Sequence, residues 1–182
     1  MTHQAHQAAP AGLPGLAIVA TDFDASRHCA DFLALLDHYM RSPTGNGAPM
    51  SDELRARLSA ELRRRPQVLS FIAYQASDAG PRAVGLINCV EGFSTFAGRP
   101  LLNVHDIVVH ASRRGQGIAQ ALLAWAGQRA GELGCCKLTL EVLSNNARAM
   151  AAYRRAGFVP YVLDPAAGHA LLMQKYLPEE AA

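Results

Sequence analysis

Apolar and polar positions change period several times between Leu16 and Leu177, and each change marks an element. LAIVATD, Leu16 to Asp22, reads as a strand. From about Ala25 to Met40, Phe32, Leu35, Leu36 and Tyr39 recur at helical spacing, and SPTGNGAP ends that helix. A second helix begins near Ser51, whose hydroxyl can cap a first turn carrying Asp52 and Glu53. It runs through Leu54, Leu58 and Leu62 until Pro66 stops it. Three strand-like runs follow, VLSFIAYQ, RAVGLINCV and LLNVHDIVVH, separated by SDAGP and by the loop EGFSTFAGRP. The period turns helical again in GIAQALLAWAGQRAGEL, where Ile118, Ala121, Leu122 and Trp125 form the apolar stripe. KLTLEVL alternates, with Leu138, Leu140 and Val142 on one face and Lys137, Thr139 and Glu141 on the other. NNARAMAAYRRAGF gives a short helix that Gly157 ends, and FVPYVL and HALLMQKYL, joined by a DPAAG turn, close the pattern as two more strands.

These elements predict an α/β (α+β) fold: a central mixed, mostly antiparallel sheet of about seven strands flanked by about four helices. With 182 residues, 50% of them hydrophobic, the chain fits one compact domain over residues 15–182. Residues 1–14, MTHQAHQAAPAGLP, have no periodicity and read as a disordered leader.

Composition removes several function classes. Lys and Arg number 17 against 15 Asp and Glu, a formal charge of +2, which is too balanced for a nucleic-acid binder. Cys29, Cys89, Cys135 and Cys136 lack the paired spacing of a zinc site, so no metal is expected, and a chain of this length needs no disulfide scaffold. No window has the apolar length of a membrane span, and the leader lacks the basic start of a signal peptide. A soluble, cytoplasmic protein with no membrane partner is the expectation.

The segment VHDIVVHASRRGQGIAQALL carries the clearest chemistry. A strand passes through Arg114, Gly115, Gln116 and Gly117 directly into an amphipathic helix. Glycines let the backbone approach an anion, and the helix start offers unpaired N–H groups at the positive end of its dipole. Gly115 and Gly117 meet the first half of a dinucleotide GxGxxG, but Gln120 stands where the third glycine belongs, and the segment follows a meander rather than an early βαβ unit. A P-loop would need Gly-Lys-Ser/Thr, which is absent.

RRGQGIA resembles the acetyl-CoA pyrophosphate loop of the GNAT superfamily of N-acetyltransferases, Q/R-x-x-G-x-G/A, met by Arg114, Gly117 and Ala119. LTLEVLSNNARAMAAYRRAGF resembles the family's N-x-x-A-x-x-x-Y-x-x-x-G-F stretch, met by Asn146, Ala149, Tyr153, Gly157 and Phe158. Element order extends the likeness over roughly Leu16 to Leu177, with the diagnostic residues between Val104 and Phe158. The resemblance implies acetyl-CoA as cosubstrate and a single GNAT-like domain. It also implies fourth and fifth strands that splay to admit the pantetheine arm. Ile107, Val108 and Val109 would then meet the arm through their main chain, and Arg114, Gly115, Gln116, Gly117, Ile118 and Ala119 would wrap the pyrophosphate. Asn146 would lie near the thioester, and Tyr153 would protonate the departing thiolate. A tyrosine with an ordinary pKa of about 10 stays protonated at neutral pH and can do so.

The base stays open among His105, Asp106, Glu91 and bulk water. The family commonly has Glu at the position of His105, and strict alternation would send His105 and Asp106 to opposite faces. Asp106, beside apolar neighbours, can instead anchor its strand through a hydrogen bond. Asp37 and Glu91 can attract a cationic acceptor. The remaining histidines, His38 and His110 among them, show no ligand spacing and receive no role. The resulting expectation is an N-acetyltransferase acting on a primary amine of a small molecule or peptide. An acyl-CoA-binding sensor without turnover is the alternative, and a homodimer is left open.

Overall fold

The structure, a computed structural model, describes residues 13–162, 164, 166 and 170–177. One sheet of five strands forms its centre: β1 Leu16–Ala20, β2 Val68–Gln75, β3 Arg82–Ser94, β4 Arg99–Val109 and β5 Leu138–Leu140, in that spatial order. β1 to β4 run antiparallel to their neighbours, and β5 runs parallel to β4. The helices are α1 Ser26–Met40, α2 Asp52–Arg63, α3 Ile118–Glu132 and α4 Ala147–Arg155.

The sheet buries both faces. On one, Leu16, Ile18, Phe71, Ile87, Leu102 and Val104 pack under Ile118, Leu122 and Ala126 of α3. On the other, Val19, Ile72, Leu86 and Val108 pack under Phe32 and Leu35 of α1, with Leu58 and Leu62 of α2 at the margin. Gly85 brings α3 close, because a Cβ there would stand 3.1 Å from Ile118 and Leu122 and 3.2 Å from the Val108 carbonyl. Ser51 caps α2 as its sequence predicts, its hydroxyl accepting the Leu54 N–H.

Strand number is the main correction: five rather than about seven among the described residues. Residues 158–162, 164, 166 and 170–177 form no strand, and Leu171, Leu172, Met173, Tyr176 and Leu177 are exposed. Alternation makes a strand only where a neighbour completes its hydrogen bonds, and the ladder stops at β5. The rest of the closing pattern, residues 163, 165, 167–169 and 178–182, lies outside the described residues, as do residues 1–12 of the leader. EGFSTFAGRP is a smaller correction, since β3 and β4 extend into it and leave only a tight hairpin end.

Among the described residues, no helix is long and apolar enough to cross a membrane. Cys29, Cys89, Cys135 and Cys136 are free, and only Cys89 is fully buried.

Candidate active site

β4 and β5 pair over only three positions, Leu102 with Leu138, Asn103 with Thr139 and Val104 with Leu140. Beyond them the strands part. The cause lies in β4: Cys89 of β3 faces Val104 and Asn88 faces Asp106, so His105 is the extra residue of a β-bulge one step past the last paired position. A bulge bends its strand and ends regular pairing. Residues Ile107, Val108 and Val109 therefore pair with β3 on one edge and have no ladder partner on the other.

This open edge leads into the glycine turn. His110 and the 3-10 turn Ala111–Arg113 deliver Arg114 in an extended conformation, and Arg114 Nε donates to the Val109 carbonyl at 3.3 Å. Gly115 and Gly117 both have positive φ, +78° and +83°, a region that disfavours side chains. Gly117 is the N-cap of α3 and no side chain caps the helix there, so its first N–H groups face outward from a left-handed turn. Gly115, Gln116 and Gly117 are exposed, Ile118 is buried in the core, and Ala119 is half-buried. The turn is thus anchored by one side chain while its backbone stays accessible.

α4 stands beside this turn. Gln120 of α3 donates to the Ala152 carbonyl at 2.8 Å, which explains why a third glycine does not follow the turn: an amide there ties the two helices together. Asn146 caps α4, its Oδ1 accepting the Ala149 N–H at 3.1 Å. The helix ends in a Schellman motif, with Phe158 N–H bonded to the Tyr153 carbonyl and Gly157 N–H to that of Arg154. The Tyr153 and Phe158 rings meet edge to face at 6.0 Å. Tyr153 packs against the α3-side core, and burial, then Tyr39, pushes its phenol above the ordinary value.

The α1 face of the parted strands is polar. Ser70, Asn88 and Asp106 lie level across β2, β3 and β4. Asn88 is 7% exposed and donates from Nδ2 to Asp106 at 3.1 Å, while its Oδ1 is buried without a partner. Tyr39 of α1 lies in the same neighbourhood, its phenol pushed up by burial and then by Asp106. On the same face, Asn103 donates to Thr139 at 3.1 Å and to both Glu141 oxygens at 3.3 and 3.4 Å, which holds a carboxylate where β5 ends. Tyr39, Asn88 and Glu141 were not candidates by sequence. Tyr39 read as part of an apolar helix stripe, and the other two needed the sheet register to bring them to the gap.

The proposed bases are not all brought together. The bulge breaks the alternation expected of β4: Val104 and Ile107, three apart, share the α3 face, while Asp106 and Val108 share the other. His105 is exposed at the bulge itself. Glu91 sits level with Leu102 on the α3 side, where its charge raises the Cys135 thiol after burial has done so, and it is on the wrong face to act with Asp106. Asp37 is committed elsewhere, accepting the Met50 N–H at 2.7 Å and Arg41 at 2.8 Å. Among the described residues no cluster of His, Cys, Asp and Glu is placed to hold a metal.

Residues 32–158 match the family model described as the Acetyltransferase (GNAT) family. The chain belongs to the GNAT acetyltransferase family. It is 39% identical over 98 residues to streptothricin acetyltransferase of Streptomyces lavendulae, covering 50% of this chain and 52% of that protein. It is 33% identical over 90 residues to thialysine N-epsilon-acetyltransferase of Bos taurus, with the same shares. The chain thus spans about half the length of the curated relatives it matches. Among solved structures, AAC(6')-Iy in complex with the bisubstrate analogue CoA-S-monomethyl-acetylneamine shares the GNAT fold at a TM-score of 0.66 and 17% identity, over 89% of this chain and 99% of that one.

Proposed function

We propose that residues 15–182 form an N-acetyltransferase domain that moves the acetyl group of acetyl-CoA to a primary amine of a small cationic molecule. One observation carries the reading: β4 leaves β5 immediately before a glycine turn that presents the uncapped start of α3. An extended arm fits the unpaired edge as an added strand, and a pyrophosphate fits the N–H groups of the turn. When bound, acetyl-CoA supplies an activated acetyl thioester.

In this reading the main chain of Ile107, Val108 and Val109 orients the arm, and an N–H near Val108 or Val109 supports charge on the thioester carbonyl oxygen. Arg114, Gly115, Gln116, Gly117, Ile118 and Ala119 hold the pyrophosphate. Asn146 keeps its Nδ2 for the thioester end, since the α4 cap uses only Oδ1. Tyr153, held protonated by its burial, gives its proton to the thiolate. Asp106 and Glu141, on one face of the gap, draw the ammonium in, and Asp106 takes its proton directly or through water. His105 is the second candidate for that step. Relatives named for streptothricin and for the N-epsilon position of thialysine favour a small amine over a peptide.

Thermal unfolding with and without acetyl-CoA, followed by thiol release across a panel of amines, tests the proposal. Stabilisation with amine-dependent thiol release is expected. Stabilisation without turnover on any amine would favour an acyl-CoA-binding sensor, and no stabilisation would overturn the cofactor assignment.

A further inference from the structure

Two histidines without a part in acyl transfer touch each other beside the glycine turn. His38 lies in the last turn of α1, and His110 follows β4 directly. Their rings stack with centroids 4.7 Å apart and planes at 22°. His38 Nε2 accepts the Ala111 N–H at 3.3 Å. His110 Nδ1 accepts the Ser112 N–H at 3.4 Å and stands 2.9 Å from the Ser112 hydroxyl. The His38 bond uses a lone pair that an imidazole loses on protonation. Ala111 and Ser112 open the 3-10 turn that delivers Arg114 and the glycines, and His110 is itself fixed to the sheet by its N–H on the Val84 carbonyl at 2.9 Å.

We propose that His38, stacked on His110, is a proton-sensitive clasp through which α1 positions the glycine turn: the neutral His38 ring holds the backbone at Ala111, and a proton on that ring releases it. His38 and His110 are positioning residues, and the consequence for the cofactor rests on the acetyl-CoA reading of the turn above.

The surroundings set the direction. α1 contributes Asp31, Asp37 and Arg41 to the groove around the rings, the start of β3 contributes Arg82, and the turn contributes Arg114. Asp31 accepts from the Tyr74 hydroxyl and pairs with Arg27, and Asp37 is held by Met50 and Arg41, with Arg55 of α2 3.7 Å away. Burial first, then His110 and Arg114, hold His38 below its ordinary value, with Asp37 opposing. The clasped form therefore prefers the neutral ring. It is intact above about pH 6.5 and is lost as the pH falls through the lowered value of His38.

Hydrogen exchange at the Ala111 amide between pH 8 and 4.5, corrected for the intrinsic pH dependence of exchange, reads the clasp without any ligand. Protection in the wild-type chain should fall about fivefold on acidification, the loss of one ordinary hydrogen bond. Its midpoint should coincide with the ring titration of His38 in the same spectra, a comparison that needs no variant. His38→Gln keeps an acceptor that does not titrate and should hold its protection across the range. Acetyl-CoA affinity by calorimetry should weaken about fivefold more in the wild type than in His38→Gln over that range. The cofactor's own phosphates titrate equally in both and cancel. Protection that ignores pH, or an equal acid loss in both proteins, would overturn the clasp. A normal exchange result with no acetyl-CoA binding at any pH would instead overturn the cofactor reading, and with it the clasp's role in presenting that turn.

Discussion

At the residue scale, Tyr153 joins an apolar ring packed on Phe158 to a hydroxyl kept protonated by burial. Tyr153→Phe should preserve acetyl-CoA affinity and lower kcat by about 100-fold, the low end of general-acid contributions. Equal turnover in the two proteins would remove the acid role. Because the phenol is raised rather than lowered, its ionisation should cut no activity below about pH 10, which a kcat profile on the basic side checks. Asn88→Ala would leave the partly buried Asp106 without its amide donor and should cost about 1–3 kcal/mol in urea unfolding. The need for a partner at Asp106 was legible from its apolar neighbours. That the partner is Asn88 was not, because eighteen residues of chain and a bulge separate them until the strands register.

At the element scale, two glycines set how α3 meets the sheet and, in the proposed reading, the cofactor. Gly85→Val should push against Ile118, Leu122 and the Val108 carbonyl, lowering both the melting temperature and acetyl-CoA affinity as the helix start shifts. Gly117→Val meets little, its Cβ position standing 3.5 Å from Leu13, but its φ of +83° is hostile to a branched side chain. It should abolish detectable acetyl-CoA binding in calorimetry while leaving the core packed, so the two variants separate a packing loss from a loop loss. Helix periods and the Ser51 cap were readable because they are local. The shortness of β5 was not, because KLTLEVL carries the same alternation beyond Leu140, where the bulge at His105 has already turned β4 away.

At the scale of the whole molecule, the proposed binding of the cosubstrate by β4, α3 and α4 together should stabilise all of them at once. Acetyl-CoA at about 100 times its Kd should add about 2.7 kcal/mol, which raises Tm by roughly 5–10 °C in a chain of this size. Acid should act through α1 as well. The Met50 N–H, then Arg41, holds Asp37 below the usual carboxylate range, so its share of stability is present above about pH 4 and disappears as the pH falls through the lowered value. The Tm gap between wild type and Asp37→Asn should therefore be widest at neutral pH and narrow as the pH falls below about 4.

The sequence by itself determined the helices, the first four strands, the glycine turn that runs into α3, and the two motifs that carry the family resemblance. All of these follow from local periodicity, backbone sterics or residue type at short spacing. Only the tertiary structure decided which carboxylate shares a face with Tyr39, where β4 and β5 part, and that two histidines far apart in the chain stack beside the turn. Those outcomes depend on strand register and helix packing. A single inserted residue such as His105 shifts every side chain after it to the other face, and no local pattern records that shift.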